Sequence, residues 1–249
     1  MASVVVMPVC HRPELLALAL EKLDQARKPE NLDVRIYADT SADLESIECV
    51  RDVYYPEALI FQANPHIQAP SGCWNILNAI KSGYRTGADY IFLIEEDVLI
   101  KPDFFTFHLS QTDCLASCGR KDRRHYLLYP DLYTNPGSCL HRELVEQLIP
   151  HICDDYFTRL REYMDEHFGS WDTQSHLDDG LIRRVIRQMG GRAVYPDIPV
   201  CAHQGFRAYN KLDIYMNYEI SIEEKIKRLR EMLRTVKPTD RYTGDFDTF

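Results

Sequence analysis

Apolar residues in the first hundred positions fall into two recurring patterns. Val4-Val-Val-Met-Pro8, Val34-Arg-Ile-Tyr-Ala38 and Asp89-Tyr-Ile-Phe-Leu-Ile94 are short runs bounded by turn signals. They read as strands, the last one buried on both faces. Between them the apolar spacing becomes three to four. Residues 14–25 carry leucines at 15, 16, 18, 20 and 23, and Pro13 suits the first helical turn. Residues 71–84 set Trp74, Leu77, Ile80 and Tyr84 on one side, with Gly87 as a stop. A further short strand pattern covers 54–62. Strand alternating with helix predicts an α/β fold, Rossmann-like, with a mostly parallel sheet flanked by helices.

Beyond Lys101 a helix is expected to about residue 109, then an exposed loop around Arg120-Lys-Asp-Arg-Arg124, a strand over 126–129 and a turn over 133–138. Helices are expected over 143–149 and 155–168, an amphipathic segment over 181–186 and a strand near 192–195, with 200–205 ending the α/β part. At the C-terminus Ser221 and Glu224 have capping-box spacing. Ile222, Ile226, Leu229, Leu233 and Val236 then form a stripe that Pro238 closes. That stripe predicts packing, against this domain or in a homodimer. The division expected is a main domain over 1–210, its halves meeting near residue 100, and a helical extension over 211–249.

Composition changes this picture little. The chain of 249 residues is 45% hydrophobic and 27% charged, which fits one globular core. No apolar run nears the roughly 18 residues of a membrane span, and the start lacks the marks of a leader, so the expectation is a cytoplasmic protein with nothing cleaved. Eight cysteines without C-x-x-C pairs then predict reduced thiols rather than a zinc site. The net charge of -9 conceals a division. Up to Ile182 there are 16 basic and 29 acidic residues, whereas from Arg183 to Lys237 there are 12 and 6. A basic C-terminal third suits an anionic partner, or a solvated helix face.

The chemistry concentrates after the central strand. Glu95, Glu96 and Asp97 stand at its carboxyl end, where open α/β sheets bind ligands. Adjacent carboxylates repel unless a cation sits among them, and oxygen ligands suit Mn²⁺ or Mg²⁺; the alternative is a solvated acidic turn. Asp39-Thr-Ser-Ala-Asp43 ends the second strand and offers either contacts to a base or ribose, or a helix cap. Asp178-Asp179 precedes a helix, where a simple cap is the plain alternative to catalysis. Neither G-x-G-x-x-G after the first strand nor a P-loop motif occurs.

In order, these pieces resemble the GT-A nucleotide-sugar glycosyltransferases, in particular the N-acetylglucosaminyltransferase I group. That group's E-D-D-L-x-x-x-P-D-F-F is similar to Glu95-Glu-Asp-Val-Leu-Ile-Lys-Pro-Asp-Phe-Phe105. Its W-D-D-W-M-R resembles Leu177-Asp-Asp-Gly-Leu-Ile-Arg183, and its late H-G-Q-F-F resembles His203-Gln-Gly-Phe206. The resemblance implies a GT-A fold and an inverting, metal-dependent transfer from a UDP-sugar to a hydroxyl. Asp97 would ligate Mn²⁺ or Mg²⁺, with His203 near the metal or diphosphate. Pro8, Cys10, Arg12, Asp39, Asn75, Glu95 and Glu96 would line the nucleotide-sugar site, and Asp179, with Asp178 beside it, would supply the catalytic base. The middle acid is Glu where the group has Asp, and the flanking tryptophans are absent.

For the acceptor, the basic residues Arg120–Arg124, Arg183, Arg184, Arg187, Arg192, Arg207 and Lys211, with Phe206, Tyr209 and Tyr215, could face a polyanion. A 5-hydroxymethylpyrimidine in DNA, Arg207 and Lys211 touching it, is the leading expectation; a surface polysaccharide or lipid-linked glycan is the next. Two readings come from other classes: a sugar-1-phosphate nucleotidyltransferase, whose Gly-rich first loop is missing where Pro8-Val-Cys-His-Arg12 stands, and a non-catalytic nucleotide-sugar- or glycan-binding protein.

Overall fold

The computed structural model describes residues 1–62, 71–120, 133–134, 137–169, 177–204 and 220–235. Nine strands and nine α-helices lie among them. The first half is β1 (Ser3–Val9), α1 (Pro13–Gln25), β2 (Leu32–Ala38), α2 (Leu44–Tyr54), β3 (Leu59–Gln62), α3 (Ser71–Arg85) and β4 (Tyr90–Leu93). Next come β5 (Val98–Ile100), α4 (Phe104–Leu109), β6 (Ala116–Cys118), β7 (Ser138–His141), α5 (Arg142–Leu148), α6 (Asp154–Thr158) and α7 (Leu160–Phe168). The chain continues through α8 (Leu177–Gln188), β8 (Ala193–Val194) and β9 (Cys201–His203) to α9 (Ile222–Thr235).

Seven strands form one sheet in the order β3-β2-β1-β4-β7-β6-β8, and β5 pairs with β9 in a separate ribbon. The pairs β1·β2, β1·β4, β2·β3 and β6·β8 are parallel, while β7 runs antiparallel to both β4 and β6. The chain walks outward from β1 to β3 and then returns to β4 on the other side of β1. That reversal opens a crevice at the carboxyl ends of β1 and β4, the usual ligand site of such sheets.

Strand alternation divides the core in two. Val5, Met7 and Val9 of β1, with Tyr90 and Phe92 of β4, pack on α1, α2 and α9. Val4 and Val6, with Ile91 and Leu93, face α3, α5 and α8. Both faces are covered, so β4 is buried at all four positions and shows no polar alternation. The five leucines of α1 are all buried because α1 is enclosed by the sheet, α2 and α9.

Several elements depart from the pattern reading. The strand pattern over 54–62 shrinks to β3, and residues up to Tyr54 belong to α2, which buries only Ile47 and Val50. The helix read over 155–168 breaks at Arg159 into α6 and α7. The strands β5, β6 and β7 carry no periodic signal at three or four residues each. The C-terminal stripe packs within the chain: Ile226 and Leu229 are buried against α1, and Arg230 pairs with Glu21 at 2.5 Å. Ser221 Oγ accepts from the Glu224 backbone N–H, as the capping spacing predicts. No described helix is long and apolar enough to cross a membrane, and all eight cysteines are free thiols. The strand read over 126–129, the loop over 121–124 and the aromatics Phe206, Tyr209 and Tyr215 lie outside the described residues.

Candidate active site

β1 ends and α1 begins across the turn Cys10–Arg12, directly beside the end of β4. Val6 O accepts from Ile94 N–H, and Cys10 N–H also turns to that side. Pro8 lies between them, so its missing N–H falls where β4 has already stopped and no ladder bond is lost. This lets a proline stand in a central strand at the mouth of the crevice.

Residues 95–98 form a β-turn, closed by Val98 N–H donating to Glu95 O at 3.0 Å. Its two central residues are aimed apart. Glu96, 2% exposed, points back to β1: its Oε2 accepts from Cys10 N–H at 2.7 Å and its Oε1 from Arg12 Nε at 2.6 Å. Asp97, also 2% exposed, turns toward β9. Its Oδ2 receives Arg12 Nη1 at 2.8 Å and lies 3.2 Å from His203 Nε2. Its backbone carbonyl accepts from Gln204 N–H, which fixes the end of β9 beside the turn. Asp97 Oδ1 is buried and has no hydrogen-bond donor among the described residues.

Electrostatics separate the three acids. Burial raises Glu95 well above the ordinary 4.5, and the charges of Asp97, Asp178 and Asp179 raise it further, against the pull of Arg12. Part of its surface nevertheless remains open, as expected of a crevice wall. Burial also raises Glu96, although Arg12 and the Cys10 N–H hold it back. For Asp97 burial acts upward too, but His203 and Arg12 outweigh it and the carboxyl is lowered.

Asp178 and Asp179 enter the crevice from the first turn of α8, both buried. The Asp178 carboxylate accepts from the Cys73 thiol of α3 at 3.4 Å. Asp179 pairs with Arg183 one turn later, at 3.5 Å, and Arg183 Nε donates to Tyr133 O at 2.7 Å. The structure therefore brings Arg12, Glu95, Glu96, Asp97, Asp178, Asp179 and His203 to one place.

Other expected residues find different positions. Asp39, 3% exposed at the end of β2, accepts from Ser41 N–H and Oγ, while Asp43 caps α2 by accepting from Ser46 N–H. The helix-cap reading of that segment holds at Asp43, while Asp39 takes no part in the cap. Asn75 is buried and donates to Tyr37 O at 2.9 Å and Val9 O at 3.4 Å, tying β1 to β2. Its Oδ1 has no donor among the described residues. Arg183 and Arg184, counted toward an anionic face, are largely buried instead, and Arg207 and Lys211 lie outside the described residues. Pattern reasoning missed Cys73, whose contact spans 105 residues and leaves no local signal. The Asp179–Arg183 pair was missed as well, because the acids were set ahead of the helix and lie instead in its first turn.

The donor set suits Mn²⁺ or Mg²⁺. Among the described residues no three His, Cys, Asp or Glu side chains form a metal-holding group. Asp97 Oδ1 and His203 would supply protein ligands and leave the remainder to phosphate and water, the habit of a metal bound together with a nucleotide.

No family model matches the chain, and no curated protein matches its sequence. Solved structures do. A mannosyltransferase from Pyrobaculum calidifontis, in complex with GDP-Man and Mn²⁺, superposes with TM-score 0.57 at 18% identity, over 86% of this chain and 60% of its own. S. aureus TarS 1–349 in complex with UDP gives 0.52 at 15% identity, over 96% and 76%. The galactosyltransferase LgtC, with donor and acceptor sugar analogues, gives 0.50 at 11%, over 78% and 72%. The chain thus spans about three fifths of the mannosyltransferase's length. What these matches show is the fold: a mixed α/β molecule with the GT-A architecture of glycosyltransferases.

Proposed function

We propose that the protein is a glycosyltransferase that moves a sugar from a UDP-sugar to a hydroxyl acceptor with inversion at the sugar carbon, aided by Mn²⁺ or Mg²⁺. The observation that carries this reading is the convergence of two acid groups from distant parts of the chain. Glu95 and Asp97 at the end of β4 stand close enough to Asp178 and Asp179 of α8 for their charges to act on Glu95. The solved GT-A structures binding GDP-Man with Mn²⁺, or UDP, support a nucleotide-sugar donor.

The residues divide the work. Arg12 and the Cys10 turn, held by Glu96, form the floor at the carboxyl end of β1, where the exposed part of the guanidinium and a divalent cation would together meet a diphosphate. Asp39 at the end of β2 is placed for the base or ribose. A divalent cation held by Asp97 and His203 would neutralise the charge gathering on the departing diphosphate. Inversion needs a single base on the face opposite the leaving group, and Asp179 takes that part by accepting the acceptor hydroxyl's proton as its oxygen bonds to the sugar carbon. Arg183 holds the Asp179 carboxylate from behind. A transfer proper to hexoses or N-acetylhexosamines is the finer form of this proposal.

For the acceptor we retain a 5-hydroxymethylpyrimidine in DNA, with a surface or lipid-linked glycan as the second reading. With Arg183 and Arg184 turned inward, the exposed basic residues of this face among the described ones include Arg187 and Arg192. Duplex binding should weaken steeply with salt if phosphates are contacted; a salt-independent affinity would favour the glycan.

Calorimetry with UDP tests the donor site. UDP should bind with Mn²⁺ present and lose that dependence in Asp97→Ala. The Asp179→Ala variant should still bind UDP yet lose turnover, which separates an enzyme from a binding module. UDP binding that ignores both Mn²⁺ and Asp97 would overturn the assignment.

A further inference from the structure

Along the sheet order β2-β1-β4, Asp39 stands at the end of β2, Cys10 to Arg12 at the end of β1, and Asp97 just past β4. Beyond Asp97 comes β9, whose His203 Nε2 lies 3.2 Å from Asp97 Oδ2. One step further, Gln204 stands opposite Asp97: the ladder pairs Val98 with His203, and Gln204 N–H donates to Asp97 O at 2.7 Å. Gln204 is 2% exposed, yet neither its Oε1 nor its Nε2 has a hydrogen-bond partner among the described residues. Rotating the amide by half a turn cures neither, because donor and acceptor are both unmet. Buried side-chain polar atoms are ordinarily paired, and an unmet one carries its desolvation cost without return. Asp97 Oδ1, on the residue opposite, is unmet as well. Two such residues facing each other across one ladder, at the wall of the crevice, point to a ligand rather than to the fold.

The chemistry that answers both amide atoms is restricted. A diphosphate oxygen accepts but does not donate, which leaves Oε1 unmet. A divalent cation meets Oε1 alone, which leaves the NH₂ group unmet. The base would lie at the other end of the crevice, beside Asp39. Adjacent hydroxyls of a sugar ring serve both atoms: one donates to Oε1 and its neighbour accepts from Nε2. With the base at β2 and the diphosphate over β1, the donor's sugar falls on the side of Asp97 and β9. We infer that Gln204 binds the transferred sugar through two adjacent ring hydroxyls and so sets which sugars the crevice accepts. The inference rests on the reading of this crevice as a nucleotide-sugar site.

Calorimetry compares UDP with UDP-glucose, UDP-galactose and UDP-N-acetylglucosamine, with Mn²⁺ and without acceptor, on the full chain, Gln204→Leu and Gln204→Met. Neither substitution should weaken UDP. Both should weaken at least one UDP-sugar, by roughly five- to a hundredfold for two lost hydrogen bonds. For that sugar, removing either of two neighbouring hydroxyls should cost the wild type affinity and cost Gln204→Leu nothing further. The Tm of free Gln204→Leu should not fall, because an apolar group of like volume replaces two unmet polar atoms. Equal weakening of UDP and every UDP-sugar, or weaker Mn²⁺ binding, would assign the amide to the diphosphate or the cation and overturn the proposal. So would a lower Tm with unchanged affinities, the mark of an amide that serves only the fold. If the wild type binds no UDP at all, the donor reading falls and this inference with it. A normal UDP site whose sugars ignore Gln204 sinks this inference alone.

Discussion

Arg12 divides its guanidinium between two buried carboxylates, Nε on Glu96 and Nη1 on Asp97, while keeping about a fifth of its side chain exposed. Removing it would leave two desolvated charges side by side. Arg12→Ala should therefore destabilise the fold by about 3 kcal/mol, the low end for a broken buried pair because water reaches the guanidinium. Arg12→Lys should recover only part of this, since one ammonium cannot match the fork across both acids. Denaturant melts of the three proteins check the order; equal stability of Lys and Arg variants would mean the fork is irrelevant. At this scale the sequence announced the acids but not their division of labour. Three successive carboxylates look alike in a string. Only the β-turn aims Glu96 at Cys10 and Arg12, where both its oxygens are engaged, and Asp97 at His203.

The elements that bring His203 to Asp97 depend on a seam between the main sheet and the β5·β9 ribbon. Gly119 N–H donates to Gly137 O at 2.7 Å, and Val200 N–H donates to Gly119 O at 2.7 Å. A Cβ on Gly119 would stand 2.6 Å from Gly137 O and 2.7 Å from Cys201 Sγ, so backbone and a buried side chain would both have to move. Gly119→Ala should cost about 2 kcal/mol and displace β9, which carries His203. Tm together with Mn²⁺ affinity reads both effects; a loss of Tm with normal Mn²⁺ affinity would uncouple the seam from the site. On the opposite face Leu229, 1% exposed, seats α9 on α1, and Leu229→Ala should cost about 3 kcal/mol. The elements legible in the sequence were those with a period of their own: β1, β2, β4, α1, α3 and α9. The three-residue strands β5, β6 and β9 were not, because their pairing partners lie far along the chain and set them in place. The helix α2 escaped because two buried residues make too thin a stripe to distinguish from noise.

Across the whole molecule, burial shifts acids and histidines alike, and the sign of each shift sets how stability responds to pH. Glu14, Glu95 and Glu96 are all raised above the ordinary 4.5, in each case first by burial. The folded state then holds more protons than the unfolded chain as pH climbs past 4.5, so these groups make the protein less stable on the alkaline side of that value. Asp97 acts in the opposite sense: lowered from 3.8, it adds stability that is lost only as pH falls through its depressed folded value. His108, lowered by burial to about 3, and His141 and His151, lowered for the same reason, act the other way below their ordinary 6.5, so without metal the decline set by the acids should show in Tm above about pH 6.5. A cation bound at Asp97 beside Glu95 competes with protons, so it should offset the decline more at the upper end. At one hundred times its Kd, Mn²⁺ should add about 2.7 kcal/mol. The increment in Tm from saturating Mn²⁺ should be larger at pH 8 than at pH 5.5, and absent in Asp97→Asn. Thermal melts at both pH values, with and without Mn²⁺, decide it. An increment that is the same at both, or that survives in Asp97→Asn, would place the cation elsewhere on this acidic molecule and detach the metal from the crevice between β1 and β4.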